Sequence, residues 1–469
     1  MPNRVEILKQ KFTTSVGLPF RELLPESAII EALAAEKIRY RNRLFNPVVT
    51  LWAFLSQVLD ADKSCSNAVS RVIAWLTNAG ADLPSADTGG YCKARQRLPE
   101  KLLLRLLGKT ASGLEAQANG EQLWCGRHVK ILDGSSVSMP DTKVNQTVYP
   151  QHSNQAAGCG FPIAKILVMF SLATGAAMGV LVDALNTSDV TLARRLYSTL
   201  NPGDVALADR AFGTYVDLVL VQSKSADAVF RQHQSRKSDF RRGKKLGIAD
   251  HIVFWNKPKR RPTSMSAEEF AQLSNCVKVR EVHFLIRQQG FRTKEIILVT
   301  TLLDAKTYTR AQLAKLYQLR WEVEVDLRHV KTTLGMDELR GKTPQMVRKE
   351  IYAHLMAYNL LRALMWEAGM TQGVSPLRLS LQGTRQHLRN FMPELISAVS
   401  KQRQRLYRTL LYLIVQQPLL ERPGRSEPRV RKRRQYGFPF DEAATFGSQA
   451  PASRVIFALS QCHSTKNWS

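Results

Sequence analysis

Leu316–Leu334 reads LYQLRWEVEVDLRHVKTTL, one helix's worth of sequence in which Tyr317, Arg320, Glu324 and Lys331 follow one another at intervals of three, four and seven. At about 100° per residue those four side chains fall within an arc of roughly 60°, so the spacing predicts one shared face. Leu316, Leu319, Val323, Leu327, Val330 and Leu334 cluster in a neighbouring arc of about 80°, which seats the helix on a core with a single carboxylate beside the seam. Glu322 and Asp326 point elsewhere, and His329, well off the Glu324 face, is expected to be solvated. A carboxylate ringed by Arg, Lys and Tyr at the edge of a core suits a site that holds a metal while gripping a phosphate. Taken alone, an amphipathic helix with i,i+4 ion pairs has the same appearance.

Two upstream segments bear on that choice. HVKILDGSSVSM reads as a strand in which Val129, Ile131 and Asp133 share a face, with Gly134 and Ser135 breaking the run. GDVALADRAF repeats the pattern, Val205, Leu207 and Asp209 alternating with Ala206 and Ala208, as in a strand covered on both sides. Each strand is expected to end in an aspartate. A turn former or helix N-cap explains either aspartate separately. Two of them in order, followed by the glutamate helix, point instead to three acids meeting in one site.

The bulk composition narrows the substrate. The 469 residues suffice for two to four domains with a real core. An excess of 67 Lys and Arg over 39 Asp and Glu leaves a charge of +28, which calls for a polyanionic partner, nucleic acid before an anionic membrane face. The uncharged stretch Ile166–Val182 approaches the length of a spanning helix. Its centre, Ala173-Thr174-Gly175-Ala176, suits a turn, and a buried hairpin beside the Asp133 strand accounts for it without a bilayer. MPNRVEILKQ has no apolar core of a secretory signal. Six scattered cysteines without a C-x-x-C pair argue against zinc ribbons and disulfide frameworks and fit a reducing, cytoplasmic setting.

Along the chain, residues 1–115 read as a helical DNA-binding region. In it YCKARQRLPEKLLLRLL places Lys93, Arg95 and Arg97 on a short basic helix able to enter a DNA groove; a solvated basic face remains open as the alternative. Residues 125–345 read as a catalytic α/β domain: strand, hairpin, helix, strand, then the glutamate helix. Asp209 and Glu324 are 115 positions apart, too far for an ordinary connection, which predicts a β-rich insertion over about 226–305. AVFRQH, HIVFWN, VKVREVHFLIR and EIILVTTLL are its strands, punctuated by RRGKK and KPKRR. Trp255 is a candidate for stacking on an extruded base, with an ordinary core position as the alternative. Residues 346–469 read as a helical region in which IYAHLMAYNLLRALMWEAG packs on the catalytic domain. It ends in a basic tail containing Arg429, Arg431, Lys432, Arg433 and Arg434.

Phosphodiester cleavage needs an activated oxygen nucleophile on one side of phosphorus and stabilisation of the leaving oxygen on the other. Two divalent ions roughly 3.5–4 Å apart supply both. Hard Mg²⁺ prefers carboxylate oxygen and keeps several waters, so three acids and the substrate phosphate suffice. In this reading Asp133 bridges the ions and Asp209 and Glu324 each hold one. Arg320 and Lys331 grip flanking phosphates while Tyr317 donates a hydrogen bond to the backbone.

The pattern Y-x2-R-x3-E-x6-K at Tyr317, Arg320, Glu324 and Lys331, with LDGSS at Asp133 and ADRAF at Asp209, resembles the DDE transposases of the insertion-sequence-four family. The resemblance spans about Asp133 to Lys331. It implies an RNase H-like core interrupted by a β-strand insertion before the glutamate helix and flanked by helical N- and C-terminal regions. It also implies cut-and-paste transposition through hairpins at the donor ends, two Mg²⁺ ions with Mn²⁺ able to substitute, and a homodimer acting on paired ends of double-stranded DNA in a prokaryotic cytoplasm. The rival readings are an RNase H-like nuclease or resolvase that cuts without joining, and a transposase-derived DNA-binding protein without catalysis.

Overall fold

Valine, isoleucine and leucine dominate a central β-strand pair of the chain, and a computed structural model, which describes residues 3–14, 23–156, 158–285 and 295–419, builds a nine-stranded sheet around them. Strands β1 (Val129–Ser138), β2 (Ile163–Ser171) and β3 (Ala177–Ala184) form an antiparallel meander. β2 reads as an almost unbroken apolar run because it lies inside the sheet with both faces covered. The turn between β2 and β3 falls where the sequence puts it, with Gly175 at φ +70°. Among the described residues no helix is long and apolar enough to cross a membrane.

β4 (Val205–Ala208) then pairs parallel to β1, and β5 (Asp227–Arg231) parallel to β4. The order 3-2-1-4-5, antiparallel then parallel, is that of an RNase H-like core. One expectation needs correction: β1 does not end at Asp133 but continues through Gly134 to Ser138, because β2 extends the antiparallel ladder from Gly134↔Leu167 to Ser138↔Ile163. On its other side β1 pairs with β4 only as far as Ile131↔Leu207. Asp133 therefore lies two residues past the last parallel partner, and so does Asp209.

Beyond β5 the sheet continues through β9 (Glu295–Thr300), β8 (Cys276–Leu285), β7 (Asp250–Asn256) and β6 (Lys244–Gly247), all antiparallel. β6 occupies a stretch that the sequence suggests only as basic punctuation. Asp250 and Arg280 form a buried fork whose Nε–Oδ1 contact is 2.8 Å, and Glu281 beside it accepts from the Trp255 indole at 2.7 Å and lies 3.0 Å from His251 Nε2. Each charge buried in this extension has a partner, which is what keeps it tolerable away from water.

Helices cover the sheet and flank it. Six precede β1 among the described residues: α1 (Arg4–Thr14), α2 (Glu26–Ala35), α3 (Pro47–Leu59), α4 (Cys65–Asn78), α5 (Gly89–Arg97) and α6 (Glu100–Glu115). α7 (Lys143–Val148) follows β1, α8 (Asp189–Leu196) follows β3, α9 (Tyr215–Gln222) lies between β4 and β5, and α10 (Ala267–Gln272) between β7 and β8. After β9 come α11 (Arg310–Gln318), α12 (Glu322–Arg328), α13 (Pro344–Gln372), α14 (Leu381–Ser397) and α15 (Ser400–Val415). The apolar α13, capped by Thr343 and closed by Gly373 at φ +67°, is buried along most of its length and packs against α3, α6, α14 and α15. A helix apolar all round belongs inside. The basic tail at Arg429–Arg434 lies outside the described residues.

The stretch expected as one regular helix is four pieces: α11, a 3₁₀ turn at Leu319–Trp321, α12, and a π turn at His329–Thr333. The tight turn winds the backbone at Arg320, and the wide turn unwinds it at Lys331. His329 is also not solvated. It is largely buried beside Arg362 and Arg328, and burial first, then those two cations, push its pKa down to about 4. Asp326 points inward, where its carboxylate meets the Arg362 guanidinium and lies 2.9 Å from the Tyr358 hydroxyl. That hydroxyl is also 2.9 Å from the Gly175 carbonyl at the hairpin turn. Asp326→Ala strands the Arg362 charge in the core and is expected to lower unfolding free energy by about 3–5 kcal/mol. Urea denaturation checks this, and a midpoint equal to wild type would show that the pair contributes nothing.

Candidate active site

The register of β1 and β4 determines where the first two acids stand. Because Ile131 faces Leu207 and neighbouring strands run about 4.8 Å apart, Asp133 and Asp209 leave the parallel pair at the same level on adjacent strands. Asp133 is half-buried, and the Gly134 amide donates to its Oδ1 at 2.9 Å. Asp209 stands at the N-cap position of a short 3₁₀ turn, Arg210–Phe212, without a side-chain capping bond, and accepts a hydrogen bond from the Tyr317 hydroxyl at 3.0 Å. That contact fixes α11 against the end of β4. The Tyr317 hydroxyl is pushed well above its usual range, by burial first and then by the Asp209 charge.

Glu324 projects from the first turn of α12 with its side chain 42% exposed and Oε1 3.6 Å from Arg320. Its charge reaches Asp133, whose carboxyl is pushed up to about 6. Burial is the main cause, Glu324 and Asp189 add to it, and the Gly134 amide and Arg320 oppose it. Arg320 is buried to 7% exposure, stacks 4.8 Å from the Trp321 ring centre, and leaves its Nε without a partner. On the far side of the cleft the Lys331 ammonium donates to the Ser135 hydroxyl at 3.0 Å. Acids, two cations and a phenol thus gather around the C-terminal edge of β4 and the middle of β1.

Asp189 escaped the sequence reading. It is the first residue of α8, behind the Ser188 N-cap, and pairs with Lys165 of β2 at 3.1 Å. Its carboxylate lies so close to Gly134 that a Cβ there would come within 2.8 Å of Oδ1, so a side chain after Asp133 would displace it. The available signal was the Ser188-Asp189 cap just after the hairpin, together with the glycine after Asp133.

The remaining sequence candidates lie elsewhere. Trp255 is 3% exposed, with its indole N–H committed to Glu281 and the Arg236 guanidinium 3.7 Å over its ring. The structure therefore does not present it to a base. Arg95 turns inward, its guanidinium 3.0 Å from Cys65 Sγ and over the rings of Phe54 and Tyr91, whereas Lys93 and Arg97 are exposed on α5.

A sheet of order 3-2-1-4-5, with an acid two residues past the last paired position of each of two adjacent parallel strands, is an RNase H-like fold. Residues 124–360 match the family model of the transposase DDE domain. Over 411 residues the chain is 25% identical to the transposase InsG of insertion sequence element IS4 from Escherichia coli K12, covering 86% of this chain and 88% of that one. Over 71 residues it is 41% identical to a probable transposase of insertion sequence element IS5377 from Geobacillus stearothermophilus, covering 15% of this chain and 18% of that one. Among solved structures, a piggyBac transposase synaptic complex with hairpin DNA aligns at a TM-score of 0.44 and 10% identity, over 84% and 85% of the two chains. The chain belongs to the transposase DDE domain family, in its insertion-sequence-four branch, and is a DNA transposase. Tyr317→Phe removes the hydroxyl that holds Asp209, and a hydrogen bond to a charged group is worth about 1.5–3 kcal/mol. DNA cleavage is expected to slow at least about tenfold and the melting temperature to fall with the loss of that bond, measured by single-turnover cleavage and a melting curve.

Proposed function

We propose that Asp133, Asp209 and Glu324 are the catalytic acids of this transposase and the ligands of two divalent ions, Mg²⁺ with Mn²⁺ able to substitute. The observation that carries this reading is the register of β1 and β4, which brings Asp133 and Asp209 to the same level on adjacent strands, with the Glu324 charge reaching Asp133 from α12. Oxygen donors that repel one another in a half-buried cleft suit a hard divalent cation. As placed, no three His, Cys, Asp or Glu side chains among the described residues stand close enough to hold one ion. Glu324, with its side chain 42% exposed and 3.6 Å from Arg320, is the acid whose side chain would close that distance. When bound, the metal supplies an activated oxygen nucleophile and charge stabilisation for the leaving oxygen.

The chain's own side chains do the rest. Tyr317 holds Asp209 in place at the end of β4. Arg320, with an unpartnered Nε beside Glu324, grips a phosphate oxygen as a fork. Lys331, anchored on Ser135, provides a point charge to the next phosphate. Asp189 holds Lys165 beside Gly134, which keeps a further cation at the rim. The enzyme cleaves the ends of its insertion sequence and joins them to target DNA by cut-and-paste, as a homodimer on paired ends, in a prokaryotic cytoplasm.

Asp133→Asn, Asp209→Asn and Glu324→Gln are each expected to abolish cleavage, by at least about a thousandfold, while sparing duplex binding, and EDTA is expected to do the same to wild type. Residual cutting in one variant removes that residue from the site. A wild-type enzyme that nicks its element's ends with Mg²⁺ but never joins them to a target would be a nuclease or resolvase instead.

A further inference from the structure

The π turn that carries Lys331 ends against two cations from distant parts of the chain. A helical segment leaves its last carbonyls without an internal partner. Here the Thr333 carbonyl accepts from Arg385 Nη1, and the Leu334 carbonyl from Lys63 Nζ. Lys63 lies in the loop joining α3 to α4, 271 positions from Leu334, and Arg385 lies on α14. Gly335 follows at φ +62°, and a Cβ there would come within 2.5 Å of the Lys63 ammonium, so the glycine both closes the turn and admits the lysine. The other nitrogens of Arg385 hold the Leu59 carbonyl at 3.1 Å and the Asp60 carbonyl at 2.6 Å, at the C-terminal end of α3. One guanidinium thus joins the negative ends of two helical segments, where a cation is favoured.

A π turn is an uncommon winding that persists where its surroundings hold it. Inside this one the Leu334 amide donates to the His329 carbonyl at 3.0 Å, and the Lys331 carbonyl accepts from the Asp337 amide at 3.3 Å. The angular position of Lys331 depends on that wide pitch. Ordinary α winding would shift it relative to Ser135, whose hydroxyl the ammonium now reaches at 3.0 Å. Thr333 and Leu334 stand two and three positions after Lys331, which makes it the nearest cleft side chain to the two clamped carbonyls.

We propose that Lys63 and Arg385 are positioning residues for DNA cleavage, clamping the end of the π turn so that Lys331 meets its phosphate. The proposal rests on the reading of Lys331 as a phosphate contact. Lys63 gives the clamp a pH signature. Its ammonium is pushed down to about 8, by burial first and then by Arg385, with Arg340 adding to them and Glu350 and Asp337 opposing. The buried His354 imidazole beside it is itself pushed down to about 3, and Cys65, Cys92, Arg95 and Lys342 line the same cavity. Below about pH 8 the lysine is charged and holds the Leu334 carbonyl with a charge-assisted bond; above it that charge is lost and the bond weakens.

The test is single-turnover cleavage by the full chain at saturating DNA carrying its element's ends, with duplex affinity measured separately in EDTA. Lys63→Met and Arg385→Met are each expected to slow cleavage by about tenfold or more at unchanged affinity, because misplacing a positioned group acts on the chemical step. Should Arg385→Met fail to fold, Arg385→Lys, which keeps a charge at the carbonyls, is expected to show the same loss in milder form. A double-mutant cycle separates positioning from plain stability. In a Lys331→Met background, Lys63→Met is expected to cost less than about twofold further, since the group it positions is gone. A double variant slowed by the product of the two single effects overturns the proposal and leaves the Lys331 reading intact. Lys331→Met that cleaves at the wild-type rate removes Lys331 from the site, and the proposal with it. Above about pH 8 the wild-type rate is expected to fall relative to Lys63→Arg, whose guanidinium stays charged. Profiles of the two that coincide through that range equally overturn the proposal.

Discussion

The Asp326–Arg362 ion pair, buried between α12 and α13 with Tyr358 beside it, sets the position of everything on the glutamate helix. Asp326 and Glu324 are two positions apart on the helix, so fixing one carboxylate inward turns the other outward toward β1. The same guanidinium presses on Gly175, where a Cβ would come within 2.7 Å of it, so the β2–β3 turn, the long central helix and the glutamate helix meet at one group. A buried charge pair is weak evidence for net stability, but its geometry is demanding, since either partner alone is costly. Its role here is registration: it ties the phase of α12 to the sheet that carries the other two acids.

What the sequence made legible followed from periodicity. The alternation of β4, the hairpin at Ala173–Ala176 and the apolar length of α13 are local patterns with one good packing solution each, and the structure has all three. The juxtaposition of Arg320 with Glu324 also follows from spacing on a helix, whereas that of Tyr317 with Asp209, at the end of β4, does not. The failures have a common cause. A helical wheel assumes a constant angle per residue, whereas the 3₁₀ turn at Leu319 and the π turn at His329 depend on tertiary contacts that a periodicity count does not contain. His329 looked solvated on a helical wheel because Arg362, which crowds it, is 33 positions away in the chain.

Asp133 and Trp255 show two further limits. A Gly-Ser pair normally interrupts a strand, but β1 continues because β2 offers it an uninterrupted ladder, and the glycine is there to admit Asp189. An aromatic beside a basic cluster suggests stacking on a base, yet Glu281 waits across the ladder from His251 and captures the indole instead. In both cases the deciding partner lies on another strand. Asp189 itself was hidden for the opposite reason, since an acidic residue behind a serine cap is commonplace at a helix start.

The sheet ends at β6, the strand farthest from the catalytic core, and Lys244 and Lys245 stand exposed there. An unpaired strand edge invites a second copy of the chain to add on, and nine strands in one continuous sheet would make such an addition extensive. Lysines on that margin make stacking of identical molecules electrostatically unfavourable. The positive charge that suits the protein to nucleic acid thereby also protects it from polymerising with itself.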